Sequence, residues 1–430
     1  MNKIRRFFKS LGPGVITGAS DDDPSGIATY SQAGAQFGFG PLWLAPFQYP
    51  LMNAIQEMCA RIGLVTGGGL GNAIKKQFSN KTILPITALL LIANTINIGV
   101  DITAMGAATR LIFPQIPVFI AAICFTVFVV VAEIFIPYKK YVKILKFLTF
   151  SLLAYVVTAV IVGGNLEQLL VSTFVPHIEL NPAFAMMFVA LFGTTISPYL
   201  FFWQASEEAE EDVAKNKIQD IGSGIPKITK SELNTMRMDV KIGMAFSQLV
   251  MWFIIFTCAQ TLYQNGITNI ATADDAAKAL EPLVQSFPYS GQISKIIFAL
   301  GIIGTGLLAI PVLAGSSAYA LADGFGWRQG LSKKFRQAKA FYLSIIISTV
   351  IGLLINLVET NPITALVYAA IINGIVAVPM LFVILKIANN KQLLHDNTNN
   401  KTSNVLGWFT FCLMLASVCV MFTFFILSRL

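Results

Sequence analysis

Charge is what this 430-residue sequence has least of: Asp, Glu, Lys and Arg together make up 12%, about half the share in an average soluble domain. So little charge cannot coat a water-facing surface, which excludes the two or three soluble domains that the length would allow. Histidine is scarcer still, with only His177 and His395. Two distant histidines cannot build an HExxH zinc site or a paired Ser/His, so a membrane-embedded enzyme of those kinds is excluded. Five cysteines, at 59, 124, 258, 412 and 419, stand in apolar runs with no CxxC or Cys/His spacing. Neither a disulfide framework nor a structural zinc site is expected from them.

What remains is apolar. Residues of the apolar class make up 55%, and mean hydropathy is +0.69. Windows of about 20 apolar residues, the length that crosses a bilayer, fall at 11–35, 42–66, 84–112, 117–136, 145–163, 184–206, 242–263, 293–322, 340–357, 362–388 and 405–428. The expectation is an all-α polytopic membrane protein with about eleven spans and no strand. The basic start, MNKIRRFFKS, runs into acids rather than a signal core or a cleavage pattern, so it reads as a cytoplasmic end. Placing it inside puts 26 of the 30 Lys and Arg residues in cytoplasmic stretches, as the positive-inside rule requires. That places the chain in a cell membrane, its N-terminus inside and its C-terminus outside. The net charge of +8 is thereby explained by topology and lipid contact, without nucleic acid. In this topology the NKT sequons at 80 and 400 face the cytoplasm and stay unmodified. The hydrophilic stretches 207–240 and 389–404 read as connecting loops, and ATADDAAKALEPLVQSF as a short surface helix.

Two spans are interrupted in equivalent places. The first reads TGASDDDPSGIATYSQAG, with Asp21, Asp22 and Asp23 before Pro24, Ser25 and Gly26. Each carboxylate near a bilayer midplane costs about 2.5–3.5 kcal/mol on insertion scales, and Asp23-Pro24 removes a backbone donor. Such backbone survives only where it lines a cavity inside protein. The sixth span repeats the device in FGTTISPYLFFWQ, around Thr194, Ser197 and Pro198. Breaks in the first helix of each set of five predict an inverted repeat, residues 11–163 and 184–388 after a cytoplasmic 1–10, with 405–428 as an added helix. Carboxylates plus unwound carbonyls make a cation site.

At these residues the chain resembles the Nramp family of divalent-metal transporters, which have a LeuT-like fold. QEMCARIGLVTGGGL, NIGVDITAMGAA and GTGLLAIPVLAGSSAYALADGFGW extend the resemblance through helices 2, 3 and 8. The resemblance implies a metal site at Asp23, Gly26, Thr194 and Ser197, with Asp22 and Tyr199 beside it. The departures matter. The family's Asp-Pro-Gly-Asn stands here as Asp23-Pro24-Ser25-Gly26, so the amide ligand position is a glycine. Thr194 matches the alanine whose carbonyl faces the ion, while Ser197 and Tyr199 replace a methionine and a histidine. The Glu that follows an Asp in helix 3 is Ala104 after Asp101, and helix 9 has no arginine. A roomy, oxygen-only site suits Mg²⁺ or Mn²⁺ rather than softer ions. It resembles the Nramp-related magnesium transporters, working without protons.

Several polar residues carry open alternatives. Asn94, Asn97 and Asp101 share a face of helix 3, as a wall of the ion path or as interhelical glue. Asn53, Gln56 and Glu57 share a face of helix 2, and Asn373 in helix 10 could offer an amide. Glu133, near Lys139 and Lys140, reads as a snorkelled surface acid. The acids Glu207 to Asp212 form either a negative ion mouth or solvated charges balanced by lysines. Other classes open to the sequence are an ordinary proton-coupled Mn²⁺/Fe²⁺ importer, a trivalent-ion carrier drawn by three aspartates, a channel and a receptor. No cofactor and no obligate protein partner are expected; the partners are the transported ion and the bilayer.

Overall fold

The computed structural model describes residues 12–78, 80–136, 152–355 and 361–428. The expected N-terminal segment 1–10, the start of the fifth span and Lys139 and Lys140 lie outside the described residues. Within them the chain is helical throughout, with no strand. In order, the elements are α1 (Pro13–Asp21), α2 (Pro24–Phe37), α3 (Leu44–Thr66), α4 (Leu70–Gln77), α5 (Asn80–Ile112) and α6 (Val118–Phe135). The next six are α7 (Leu153–Val162), α8 (Leu166–Phe174), α9 (Pro182–Thr195), α10 (Pro198–Ala214), α11 (Lys230–Thr261) and α12 (Ala273–Lys278). The chain ends with α13 (Ser290–Phe325), α14 (Lys339–Ile355), α15 (Pro362–Ala388), α16 (Lys391–Leu394) and α17 (Lys401–Leu427).

Each of the eleven expected spans corresponds to a helix, or to a helix pair at spans 1 and 6. Seven are long and apolar enough to cross a membrane by themselves, and α7 and α14 are shorter apolar helices. The periphery is apolar outward as well as inward: Phe119, Val127, Phe128 and Phe135 of α6 are all exposed, as are Phe409 and Phe422 of α17. Exposed apolar surface of that extent is a lipid-facing surface. Helices α1 and α2 are too polar to cross lipid alone and are buried on every side by other helices.

The packing partners repeat. Helix α1, at the first break, lies along α11, while α10, at the second break, lies along α3; α5 and α13 pack on each other. Numbered by span, these are pairs 1–7, 6–2 and 3–8. Exchanging the two sets of five turns the first pair into the second and the third into itself. Where α1 meets α11, a Cβ on Gly18 would collide with the Gly243 backbone. The helices therefore touch backbone to backbone, which only glycine permits.

The expected loop at 207–240 is smaller than the sequence indicated. Helix α10 runs on through Ala214 and α11 begins at Lys230, so the connection within 207–240 is only 215–229. Thr229 and Glu232 form a capping box that starts α11 so early, a signal present in the sequence. Lys217 closes this connection with Asp212 at 3.1 Å and Glu232 at 2.6 Å. Partial burial pulls the Lys217 ammonium down, but the two carboxylates outweigh it and hold its pKa above the usual lysine value. The surface helix expected in ATADDAAKALEPLVQSF is α12, begun by a Thr272–Asp275 capping box. Arg61 belongs to no surface loop: it is buried in α3 and pairs with Glu57 at 3.0 Å. It also donates to the carbonyl of Asn397 and to Asn399 Oδ1, while Arg237 of α11 holds the same Glu57.

Candidate metal-ion site

Both breaks have the same two-residue geometry. After α1, Asp22 leaves the helix at φ −86°, ψ 51° and Asp23 is extended at φ −69°, ψ 173°. After α9, Ile196 takes φ −110°, ψ 59° and Ser197 takes φ −85°, ψ 138°. A proline then starts each second half, Pro24 for α2 and Pro198 for α10, where its missing N–H costs nothing and its fixed φ fits the first helical position. The C-terminal ends of α1 and α9, carrying partial negative charge, thus come to the middle of the protein. Asp21, Asp22, Asp23, Thr194, Ser197 and Tyr199 are all 1% exposed or less.

Asp23 is the centre of the first break. Its Oδ1 caps α2, accepting from the Gly26 amide at 2.6 Å and from Ser25 Oγ at 2.8 Å. Its Oδ2 accepts from Asn97 Nδ2 of α5 at 3.1 Å. Gly26 is closely surrounded by oxygens. A Cβ there would lie 3.0 Å from the Asp21 carbonyl, 3.1 Å from Thr194 Oγ1 and 3.4 Å from Asp23 Oδ1. The two breaks therefore meet at Gly26. Because that position lacks a side chain, a carboxylate, a carbonyl and a hydroxyl crowd in on it, too closely for even a methyl group to fit without a shift.

The other expected site residues sit around this centre in different ways. Ser197 Oγ turns back to the Gly193 and Thr194 carbonyls, at 2.5 and 2.9 Å, and caps no helix. Tyr199 Oη donates to the Ser20 carbonyl at 3.0 Å, tying α10 to the end of α1. The three aspartates diverge. Asp21 accepts a hydrogen bond from Ser247 of α11, and Asp22 is buried with neither oxygen hydrogen-bonded. Among the described residues no three His, Cys, Asp or Glu side chains group as a metal cage.

The helix-3 face splits. Asn97 joins Asp23, but Asn94 Nδ2 is bound to α13 through the Leu313 carbonyl, Ser316 and Ser317 at 2.8–3.1 Å. Asn94 is interhelical glue. Asp101 faces Asp23 and the Ser25 amide, outside hydrogen-bond geometry. On α3, Glu57 is glue to Arg61 and Arg237, while Gln56 and the carbonyl of Asn53 find no partner. Asn373 is buried with neither amide atom bonded. Glu133 is buried and not snorkelled, and the lysines expected beside it lie outside the described residues. Most acids of α10 are not solvated: Glu207, Glu208, Glu210 and Asp212 are buried, while Glu211 is partly exposed and pairs with Lys215 at 3.6 Å. Glu210 accepts from Tyr319 Oη at 2.8 Å and from the Leu331 amide at 2.6 Å, and Gln204 donates to Glu208 at 3.0 Å.

Sequence reasoning missed Asp239. From α11 its two oxygens accept from the Gly12 amide at 2.8 Å and the Gly14 amide at 2.6 Å, clamping the N-terminus of α1. The signal was a lone acid in an otherwise basic stretch, too weak to read without the fold.

Comparison with known proteins places this geometry. The chain is 26% identical over 408 residues to the divalent metal cation transporter MntH of Klebsiella pneumoniae, spanning 93% of this chain and 90% of that protein. In backbone it is similar to a manganese transporter of Eremococcus coleocola, with TM-score 0.73 at 16% identity, covering 98% of this chain and 88% of that one. It also shares its fold with Mhp1, a nucleobase-cation-symport-1 family transporter, with TM-score 0.60 at 12% identity, covering 96% and 92%. The fold is thus LeuT-like, with two interrupted helices. Residues 14–424 match the Nramp description, natural resistance-associated macrophage protein-like. The chain therefore belongs to the Nramp family, whose members move metal ions across membranes and are not enzymes.

Proposed function

We propose that this chain imports a divalent cation, Mg²⁺ foremost and Mn²⁺ as well, through a cell membrane by alternating access, driven by voltage and concentration without protons. The observation that carries the reading is the convergence on Gly26 of three oxygens, Asp23 Oδ1, the Asp21 carbonyl and Thr194 Oγ1, with no side chain between them. These are hard oxygen donors with one anchoring carboxylate. Mg²⁺ dehydrates reluctantly and is usually held by one or two carboxylates while keeping several waters. A site of oxygens and no sulfur favours such an ion. Asp23, Gly26, Thr194 and Ser197 form the site in this reading, with Asp22 and Tyr199 at its margin. The halves 11–163 and 184–388 are the two repeats, 405–428 an added helix, and the basic end of the molecule is cytoplasmic. Each elementary charge gains about 2.3 kcal/mol per 100 mV. A divalent ion thus gains about 4.6 kcal/mol, enough for roughly thousand-fold accumulation without another ion.

A second reading is an ordinary proton-coupled Mn²⁺ or Fe²⁺ symporter. It is favoured by Asp101, a buried carboxylate beside Asp23 that could carry a proton, and by the manganese transporter among the similar structures. The divergence of Asp21 towards Ser247 weighs against a trivalent-ion site. Reconstitution in liposomes at a clamped potential separates the readings, with Mg²⁺ and Mn²⁺ uptake measured alongside internal pH. Voltage-dependent Mg²⁺ entry without acidification is the expected result. Mn²⁺ entry with proton influx and no Mg²⁺ transport would establish the second reading.

A further inference from the structure

A glycine at position 26 leaves the first break without the amide that an asparagine would bring, yet another amide reaches the same carboxylate from α5. Asn97 is fully buried, and its Nδ2 donates to Asp23 Oδ2 at 3.1 Å. An ionised carboxylate can only accept, so the nitrogen is the amide atom that faces it. The oxygen is then fixed on the other branch of the same planar group. That Oδ1 has no hydrogen-bond partner in the protein. A buried amide oxygen without a partner is unfavourable and rare in native proteins, and here it stands one amide group away from the acid at the centre of the site. Asn94 also leaves its Oδ1 without a partner, but its nitrogen is tied to α13 and not to Asp23. Gln48 accepts from Thr195 on the far side of the second break at 3.0 Å.

Resting on the site reading proposed above, we infer that Asn97 is a specificity-determining residue: Nδ2 holds Asp23 in place and Oδ1 is presented to the ion, replacing the amide absent at Gly26. The oxygen is hard and neutral. It completes a shell for Mg²⁺ or Mn²⁺ without adding a second negative charge, so the ion is selected by an oxygen donor yet bound weakly enough to leave. Moving the amide from the broken helix to the continuous helix α5 also separates two duties. The unwound segment can rearrange while the donor stays on a rigid element.

The test compares Asn97→Ala, Asn97→Cys and Asp23→Ala in proteoliposomes at fixed voltage, with Mg²⁺ as the transported ion and Cd²⁺ as competitor. Loss of a metal-site oxygen in Asn97→Ala should raise the KM for Mg²⁺ roughly tenfold to hundredfold. The sulfur of Asn97→Cys should shift competition in favour of Cd²⁺ by about tenfold, since thiolates select softer ions. A purely structural role would weaken both ions together, so an unchanged Cd²⁺/Mg²⁺ ratio in Asn97→Cys overturns the inference whether or not KM rises. Direct Mn²⁺ binding by calorimetry on each monodisperse variant supplies the second readout. Binding by Asn97→Ala at wild-type affinity overturns the inference even where transport is lost. Asp23→Ala separates the two levels: continued transport in that variant refutes the site reading itself. An inactive Asp23→Ala beside wild-type ion ratios in Asn97→Cys refutes only the role given to Asn97.

Discussion

In the proposed site single side chains would set which ion is taken, and position 197 is the clearest test. Its hydroxyl donates to the two carbonyls that end α9 and so occupies part of the oxygen surface of the second break. Ser197→Met would release those carbonyls and add a thioether. The expected outcome is Cd²⁺ or Mn²⁺ competition against Mg²⁺ strengthened by about tenfold, because a soft donor favours softer ions. Unchanged competition would detach Ser197 from the ion path. At this scale the sequence was informative about residue types and less so about direction. DDDPSG announced a polar break, and Asp23 stands at its centre. Nothing in three adjacent aspartates told that Asp21 turns to Ser247 while Asp23 caps α2. Side-chain direction at a break depends on backbone angles that neighbouring helices impose. The pair Asn94 and Asn97 shows the same limit. A helical face predicts that residues three apart look the same way, yet one amide goes to α13 and the other to Asp23.

Helices were easier to read than their ends. Hydrophobic length located all eleven spans to within a few residues at most boundaries, because lipid enforces a minimum apolar run. It failed where a helix leaves the membrane and stays buried in protein. The acids of α10 looked like loop residues, but Tyr319 and the Leu331 amide hold Glu210, Gln204 holds Glu208 and Lys217 pairs with Asp212 inside the fold. Glu210→Ala leaves the Tyr319 hydroxyl and the Leu331 amide without their acceptor, so a loss of about 1–3 kcal/mol is expected. Thermal unfolding in detergent checks it; an unaltered transition would mean that this contact is not structural. The clamp on α1 makes a different prediction. Asp239 holds two N-terminal amides, and each hydrogen bond to a charged group contributes about 1.5–3 kcal/mol. Asp239→Ala should free the end of α1 and raise the accessibility of a cysteine introduced at Thr17, in a cysteine-free background, to a membrane-impermeant thiol reagent applied from the basic end. Equal labelling rates with and without Asp239 would show that α1 is held by other contacts.

The whole molecule is organised around exchange between halves. Pairs 1–7 and 6–2 place each broken helix against the opposite half, so displacing either broken helix works directly on the other repeat. The distribution of charge along the chain argues for an orientation of this arrangement, since 26 of 30 basic residues fall in the stretches expected at one end. Counting charges could not reveal that some of them are structural. Arg61 joins α3, α11 and the connection before α17 through Glu57, Arg237, Asn397 and Asn399. A basic residue counted as a topology signal therefore also ties the halves together.

The seam between α1 and α11 has a mechanical consequence. Helices that interlock through large side chains must climb over one another to slide, and each step forces rotamers out of their wells. Gly18 and Gly243 meet as bare backbone, so this seam has almost no teeth and works as a plain bearing. Friction against sliding is then low, and the resistance comes from the polar ties at either end of α1, the two amides that Asp239 grips and the Ser247 hydroxyl on Asp21. Gly18→Ala would put a tooth into the bearing. Turnover should fall several-fold while the apparent affinity for the ion stays the same, because the site lies a full turn away. A variant that loses affinity in proportion to rate would locate the friction elsewhere.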